Sequence, residues 1–188
     1  MKIYYITPSE PLADEGTLLS TMLGMGVERV HLRHPACSEA ELSDILSSIA
    51  PDFRSRVVLH DCHQLALRYG CTIHLNRRHP VPPDDYAGPL SCSCHSLDEV
   101  EAARVDYCTL SPIFDSISKP GYTAASFDRL RLHSLLVDRN IVALGGITPD
   151  RFNDLRDMGF ASIALSGYIT GDGVSAHIIE RLKKCFNS

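Results

Sequence analysis

The chain has 188 residues, 44% hydrophobic and 22% charged, a size and balance suited to one domain, residues 1–188, with its own core. Its formal charge of −5, with lysines and arginines scattered, excludes the basic face that a nucleic acid or an anionic membrane would need, and leaves a small molecule as the expected partner. The opening MKIYYITPSE has too brief an apolar run for a signal segment, and no later run approaches the roughly 18 apolar residues of a membrane span, so a cytoplasmic protein is expected.

In chain order, KIYYIT from Lys2 is the first strand candidate, and RVHLRH from Arg29 the second. A helix follows, opened by Ser38 and Glu41 in a capping-box pattern. RVVLHD, from Arg56, ends on Asp61, which either caps the next helix or serves a site. TIHLN from Thr72 leads into HPVPPDDYAGP, whose prolines forbid a helix, so one helix is missing between the fourth and fifth strands. LSCSCHS from Leu90 meets a second capping pattern, Ser96 with Glu99. YCTLSPI from Tyr107, IVALGGI from Ile141 and SIALSGYI from Ser162 complete the strands, with Thr148 and Pro149 placed to start a helix after the seventh. Strands alternating with helices predict an α/β fold with a parallel sheet, and eight units predict a closed (β/α)8 TIM barrel. An open doubly wound sheet is the alternative, but no GxGxxG follows the first strand.

The cysteines, seven in number and without a CxxC pair, read as reduced thiols. CSCH, from Cys92 to His95, resembles a metal cluster, yet on a strand Cys92 and Cys94 face away from His95.

Barrel strands alternate between core and lumen, so polar residues at period two near strand ends mark a cavity. His31 and Arg33, His74 and Asn76, Ser91, Ser93 and His95, and Thr109 and Ser111 form such rows. Their neighbours Val30, Leu32, Ile73, Leu75, Cys92, Cys94, Cys108 and Leu110 suit packing against helices. His31 alone would read as a hydrogen-bonded core histidine, whereas His95, at its strand end, stands where barrel enzymes keep their chemistry. The glycines of ALGGIT and ALSGYI, namely Gly145, Gly146 and Gly167, close the last two strands, the recurrent phosphate position of this fold. Ser116, Ser118 and Lys119 would close a loop over an anion at the barrel mouth.

With these residues assembled, the chain resembles the thiamine phosphate synthase/TenI family along nearly its whole length. VHLRH is similar to the family's VQLRxK, LHDCHQLAL to NDRxDLAL, IHLN to VHLG, and SCSCHSLDEV to GxSxHSxEE. SPIFDSISK is similar to GPIFxTxTK, VALGGI to AIGGI, and ALSGYI to VVSAI, all in the family's order. The resemblance implies a TIM barrel that binds a thiazole phosphate in thiamine biosynthesis, as either of two enzymes. A synthase joins a pyrimidine methyl diphosphate to the thiazole phosphate with Mg2+; a TenI-type tautomerase shifts a proton on a carboxythiazole phosphate, using a histidine and no cofactor. Arg33, Asp61, Ser93, Lys119, Gly145, Gly146 and Ser166 match synthase-like positions, with Asp61 the Mg2+ ligand if the protein is a synthase. The family's lysine is Pro35 here, its glutamine His31, and its second magnesium aspartate His79. Those departures favour the tautomerase, with His95, His31 and Lys119 as catalytic candidates and Arg33, Ser93, Ser111, Ser116, Ser118, Gly145, Gly146, Ser166 and Gly167 binding the substrate and its phosphate. A synthase and a catalytically silent phosphate-ligand binder are the alternatives, and a homo-oligomer is compatible with any of them.

Overall fold

The strand order β1-β2-β3-β4-β5-β6-β7-β8 closes on itself, with β8 returning to pair in parallel with β1. In this computed structural model, which describes residues 1–115 and 123–188, the strands are β1 (Lys2–Ile6), β2 (Arg29–Leu32), β3 (Val57–Leu59), β4 (Thr72–Leu75), β5 (Leu90–Cys94), β6 (Tyr107–Leu110), β7 (Ile141–Leu144) and β8 (Ser162–Leu165). Around them run α1 (Glu15–Gly24), α2 (Glu39–Ser48), α3 (Gln64–Tyr69), α4 (Leu97–Ala102), α5 (Arg129–Asp138), α6 (Phe152–Asp157), α7 (Gly167–Thr170) and α8 (Ser175–Phe186). No helix among the described residues is long and apolar enough to cross a membrane.

No helix lies between β4 and β5, as the prolines require. Tyr86 covers part of that gap: it packs against the core, and its hydroxyl lies 2.9 Å and 2.8 Å from the carbonyls of Cys71 and Pro89. The Ser38–Glu41 capping box forms in full at α2. At α4 only half of the pattern forms. Ser96 accepts the Glu99 N–H, but the Glu99 carboxylate takes the N–H of His95 instead, at 2.6 Å. After β7 the expected Thr148 cap makes no side-chain cap bond, and Pro149 opens a 3-10 turn, Pro149–Arg151, ahead of α6.

Alternation along each strand divides the buried residues into two sets. Val30, Leu32, Val57, Leu59, Ile73, Cys94, Cys108 and Leu110 face outward into the main core between strands and helices. Inside the barrel, Tyr4, Ile6, Tyr107, Val142 and Ala164 form a second apolar cluster. The opposite half of the lumen is polar, with His31, His74, Ser91 and Thr109 all buried. Since the strands are parallel, Thr7, Arg33, His60, Asn76, His95, Ser111, Gly145 and Ser166 emerge at one mouth.

Candidate functional site

His95 leaves β5 at that mouth, exposed and fixed from two sides. Its backbone N–H is held by Glu99, and its Nδ1 lies 3.1 Å from the Ser111 carbonyl oxygen and 3.3 Å from Ser111 Oγ. A carbonyl only accepts, so Nδ1 carries the proton and Nε2 bears the lone pair of the neutral ring. The row next to it binds downward into the barrel: Ser93 Oγ is 2.8 Å from His74 Nε2, and Ser91 Oγ is 2.9 Å from His74 Nδ1.

His31, at 0% exposure, lies beneath the mouth rather than at it. Its Nδ1 meets His60 Nε2 at 2.9 Å and its Nε2 meets the Tyr107 hydroxyl at 2.9 Å. Burial first, then the neighbouring His74, holds His31 and His60 well below the ordinary histidine range, and burial lowers His74 to about 3. All three rings are therefore neutral near pH 7.

Asp61 follows β3 and does not cap a helix, for α3 begins after His63 with no side-chain cap. Its Oδ1 instead accepts from Arg78 Nη2 at 2.7 Å and Nε at 3.1 Å, with His79 Nε2 at 3.5 Å. Asn76 shapes this turn: its Oδ1 accepts the N–H groups of Arg78 and His79, and its amide donates to the His60 carbonyl at 2.7 Å. The donor set does not fit Mg2+, which takes hard oxygen ligands in near-octahedral array. Among the described residues of this group Asp61 supplies the one carboxylate; Arg78 already occupies its Oδ1, only the buried Oδ2 is without a hydrogen-bond partner, and the adjoining donors are imidazoles. Burial and then the neighbouring His79 lower the His63 pKa, which keeps that ring a neutral neighbour and no substitute for a carboxylate.

Gly145 and Gly146 have φ of +99° and +64°, a region that L side chains rarely adopt. A Cβ at Gly145 would lie 2.9 Å from Pro112 Cα, and one at Gly146 would overlap the Asp115 carbonyl oxygen. Both glycines thus have a packing reason of their own, the close approach of the segment after β6. Ser166 and Gly167 open α7, where first-turn N–H groups have no acceptor within the helix. Arg33 is half-buried, with Nη1 donating to Ser9 Oγ at 3.0 Å. Ser116, Ser118 and Lys119 lie outside the described residues.

A model of the family described as thiamine monophosphate synthase (TMP-TENI) matches residues 3–169. The chain belongs to that family. The thiamine-phosphate synthase of Nitrosospira multiformis is 28% identical over 185 residues, covering 90% of this chain and 78% of that protein. That of Actinobacillus succinogenes is 29% identical over 104 residues, 52% of this chain and 47% of its own, so the alignment spans about half of that relative. Among solved structures, the thiamine phosphate pyrophosphorylase of Bacteroides thetaiotaomicron superposes with a TM-score of 0.84 at 28% identity, covering 100% of this chain and 96% of that one. The fold is shared with the Pyrococcus furiosus pyrophosphorylase as well, at a TM-score of 0.72 and 17% identity over 99% of this chain and 94% of that one. The family is one of enzymes, and in this chain Arg33, Asp61, His95 and Ser111 follow β2, β3, β5 and β6 at one mouth of the barrel.

Sequence reasoning overlooked three parts of this mouth. His60 shares a face with Val58, the same period-two signal that marked His31 and His74. Arg78 reaches Asp61 only through the Asn76 turn. His34 Nε2 and Glu15 Oε2 meet at 2.6 Å in full burial, tying the start of α1 to the segment after β2, and sequence spacing says nothing of that pair.

Proposed function

We propose that the protein is a thiamine-pathway enzyme that binds a thiazole phosphate at the barrel mouth and shifts a proton on the ring, in the manner of a TenI-type tautomerase. One observation carries the choice over a synthase: Asp61 is bound by Arg78 at 2.7 Å, and His79 stands where a second metal carboxylate is expected. A fixed cation there disfavours a bound Mg2+ and favours an anionic substrate group.

In this reading His95 Nε2 takes a proton from the ring of the substrate, and the resulting imidazolium returns it to another ring atom. Ser111, through its carbonyl, holds the tautomer that makes Nε2 the basic nitrogen. Glu99 fixes the backbone from which the ring projects. Ser166, Gly167 and the segment at Gly145 and Gly146 receive the phosphate, with α7 offering its first-turn N–H groups.

A second reading, the synthase, is favoured by the names of the relatives in Nitrosospira multiformis and Bacteroides thetaiotaomicron. Assaying both reactions side by side separates the two. A proton shift that proceeds in magnesium-free buffer, without coupling activity, supports the tautomerase. Coupling that requires Mg2+ and fails in Asp61→Asn establishes the synthase.

A further inference from the structure

Below the mouth lies a group of side chains that the proposed chemistry does not use. His31 from β2, His60 just after β3 and His74 from β4 are exposed by only 0%, 7% and 1%, and each offers a ring nitrogen within 4.8 Å of the others. Barrel interiors are ordinarily filled with branched apolar residues, whereas here three buried imidazoles bond to one another and to Tyr107, Ser91 and Ser93. We propose that His31, His60 and His74 form a binding site for a divalent transition-metal ion of the zinc type.

The ligand chemistry selects the ion. Three imidazoles without a carboxylate suit zinc and its neighbours, not magnesium or calcium. Zn–N bonds of about 2.0–2.1 Å in tetrahedral array hold ligand nitrogens roughly 3.3 Å apart, so the His31 Nδ1–His60 Nε2 pair, now at 2.9 Å, would open while the wider separations, all within 4.8 Å, would close. Outer partners are in place for two of the rings. His31 Nε2 is 2.9 Å from the Tyr107 hydroxyl, which leaves Nδ1 as its ligand atom, and His74 Nδ1 is 2.9 Å from Ser91 Oγ, which leaves Nε2. Metal-binding histidines are usually anchored through the second nitrogen in this way.

Three adjustments accompany binding. The rings of His60 and His74, now stacked with centroids 4.0 Å apart and planes inclined by 18°, must turn so that their in-plane lone pairs converge. His31 Nδ1 and His60 Nε2 now share one proton across 2.9 Å, so His60 must carry its proton on Nδ1 to present Nε2. Ser93 Oγ must leave His74 Nε2, and its exposed position at the mouth allows that rotation. Burial keeps the rings neutral, which is the form that binds a metal. Thr109 Oγ1, buried without a hydrogen-bond partner among the described residues, is a further polar group on β6, in register with Ser93. Three protein ligands leave a further position for a small ligand or water.

The test begins with chelator-treated, full-length protein titrated with Zn2+ and with Co2+. We expect one ion per chain, a cobalt spectrum of tetrahedral type, and an X-ray absorption signature of three imidazoles on zinc. Tyr107→Phe should weaken binding by about 10- to 100-fold, the usual effect of losing an outer partner, while His79→Ala leaves it unchanged. His60→Gln and His74→Gln should abolish stoichiometric binding. Sulfur scattering near about 2.3 Å would assign the ion to cysteines and overturn the proposal. So would the absence of a stoichiometric ion in the wild type, a measurement that depends on no variant folding.

Discussion

The rings of His60 and His74 stack face to face, with centroids 4.0 Å apart and planes inclined by 18°. Two rings so close and so buried cannot both become cations, and His31 adds a third edge-on to each. The pH dependence of stability follows. In the unfolded chain each imidazole takes a proton near pH 6.5, about the ordinary value, whereas in the folded chain His74 does so only at about 3 and burial holds His31 and His60 well below 6.5. Below about pH 6.5 the unfolded chain therefore binds more protons, and the free energy of unfolding drops by about 1.4 kcal/mol per pH unit for each such ring. Above that pH these rings add no slope. Denaturant midpoints of metal-free protein should be level from about pH 7 to 8 and fall steeply toward about pH 5. His74→Gln should shallow the slope by one proton, and an unchanged slope would remove the histidine row as its cause.

Arg78 and His79 supply a gain-of-function test at Asp61. Their pairing contributes little to stability, because the arginine side chain is 49% exposed and such pairs are worth about 0–1 kcal/mol. The double variant Arg78→Gln, His79→Asp removes the guanidinium and restores a second carboxylate beside the first. Calorimetry with MgCl2 should detect binding in the double variant and none in the wild type. Equal heats from both proteins would show that the donor set does not control the metal.

Gly146 and Gly70 share a left-handed backbone, φ +64° and +69°, but not an environment. A Cβ at Gly70 meets nothing within 4 Å, while one at Gly146 overlaps the Asp115 carbonyl and Phe114. Gly70→Ala should cost about 1–2 kcal/mol, the left-handed penalty alone. Gly146→Ala should cost distinctly more in the same melts, since the segment after β6 must also move. Equal losses would mean that this segment yields freely. For the same reason phosphate affinity is better probed by comparing phosphorylated with dephosphorylated thiazole than by substituting Gly146.

The barrel was legible because alternation and proline chemistry are local. Period two placed His31, His74, Ser91 and Ser93 on the lumen side, and the prolines between Asn76 and Leu90 removed a helix. The strands proved shorter than the apolar runs, since Arg33, His60, Asn76 and Ser111 lie beyond the strand ends at the mouth. What distance in sequence hides was not legible. Arg78 reaches Asp61 only once Asn76 has folded the turn, and Tyr107 reaches His31 across the lumen, 76 residues away along the chain. The glycine pair also packs against the segment after β6, a contact its sequence pattern did not reveal.

His95 carries the catalytic proposal, and its test separates chemistry from binding. Asparagine in its place can keep a donor near the Ser111 carbonyl but cannot exchange a proton near neutral pH. His95→Asn should therefore lower kcat by roughly 10²- to 10⁴-fold, the usual contribution of a general acid or base, with KM for the thiazole phosphate nearly unchanged. Glu99→Gln, which weakens the hold on the His95 backbone without touching the ring, should lower kcat by much less and likewise spare KM. A variant whose KM rises while kcat persists would make His95 a binding residue. If both constants survive, the proton passes through another group, and the buried His74, joined to the mouth by Ser93, becomes the residue to test.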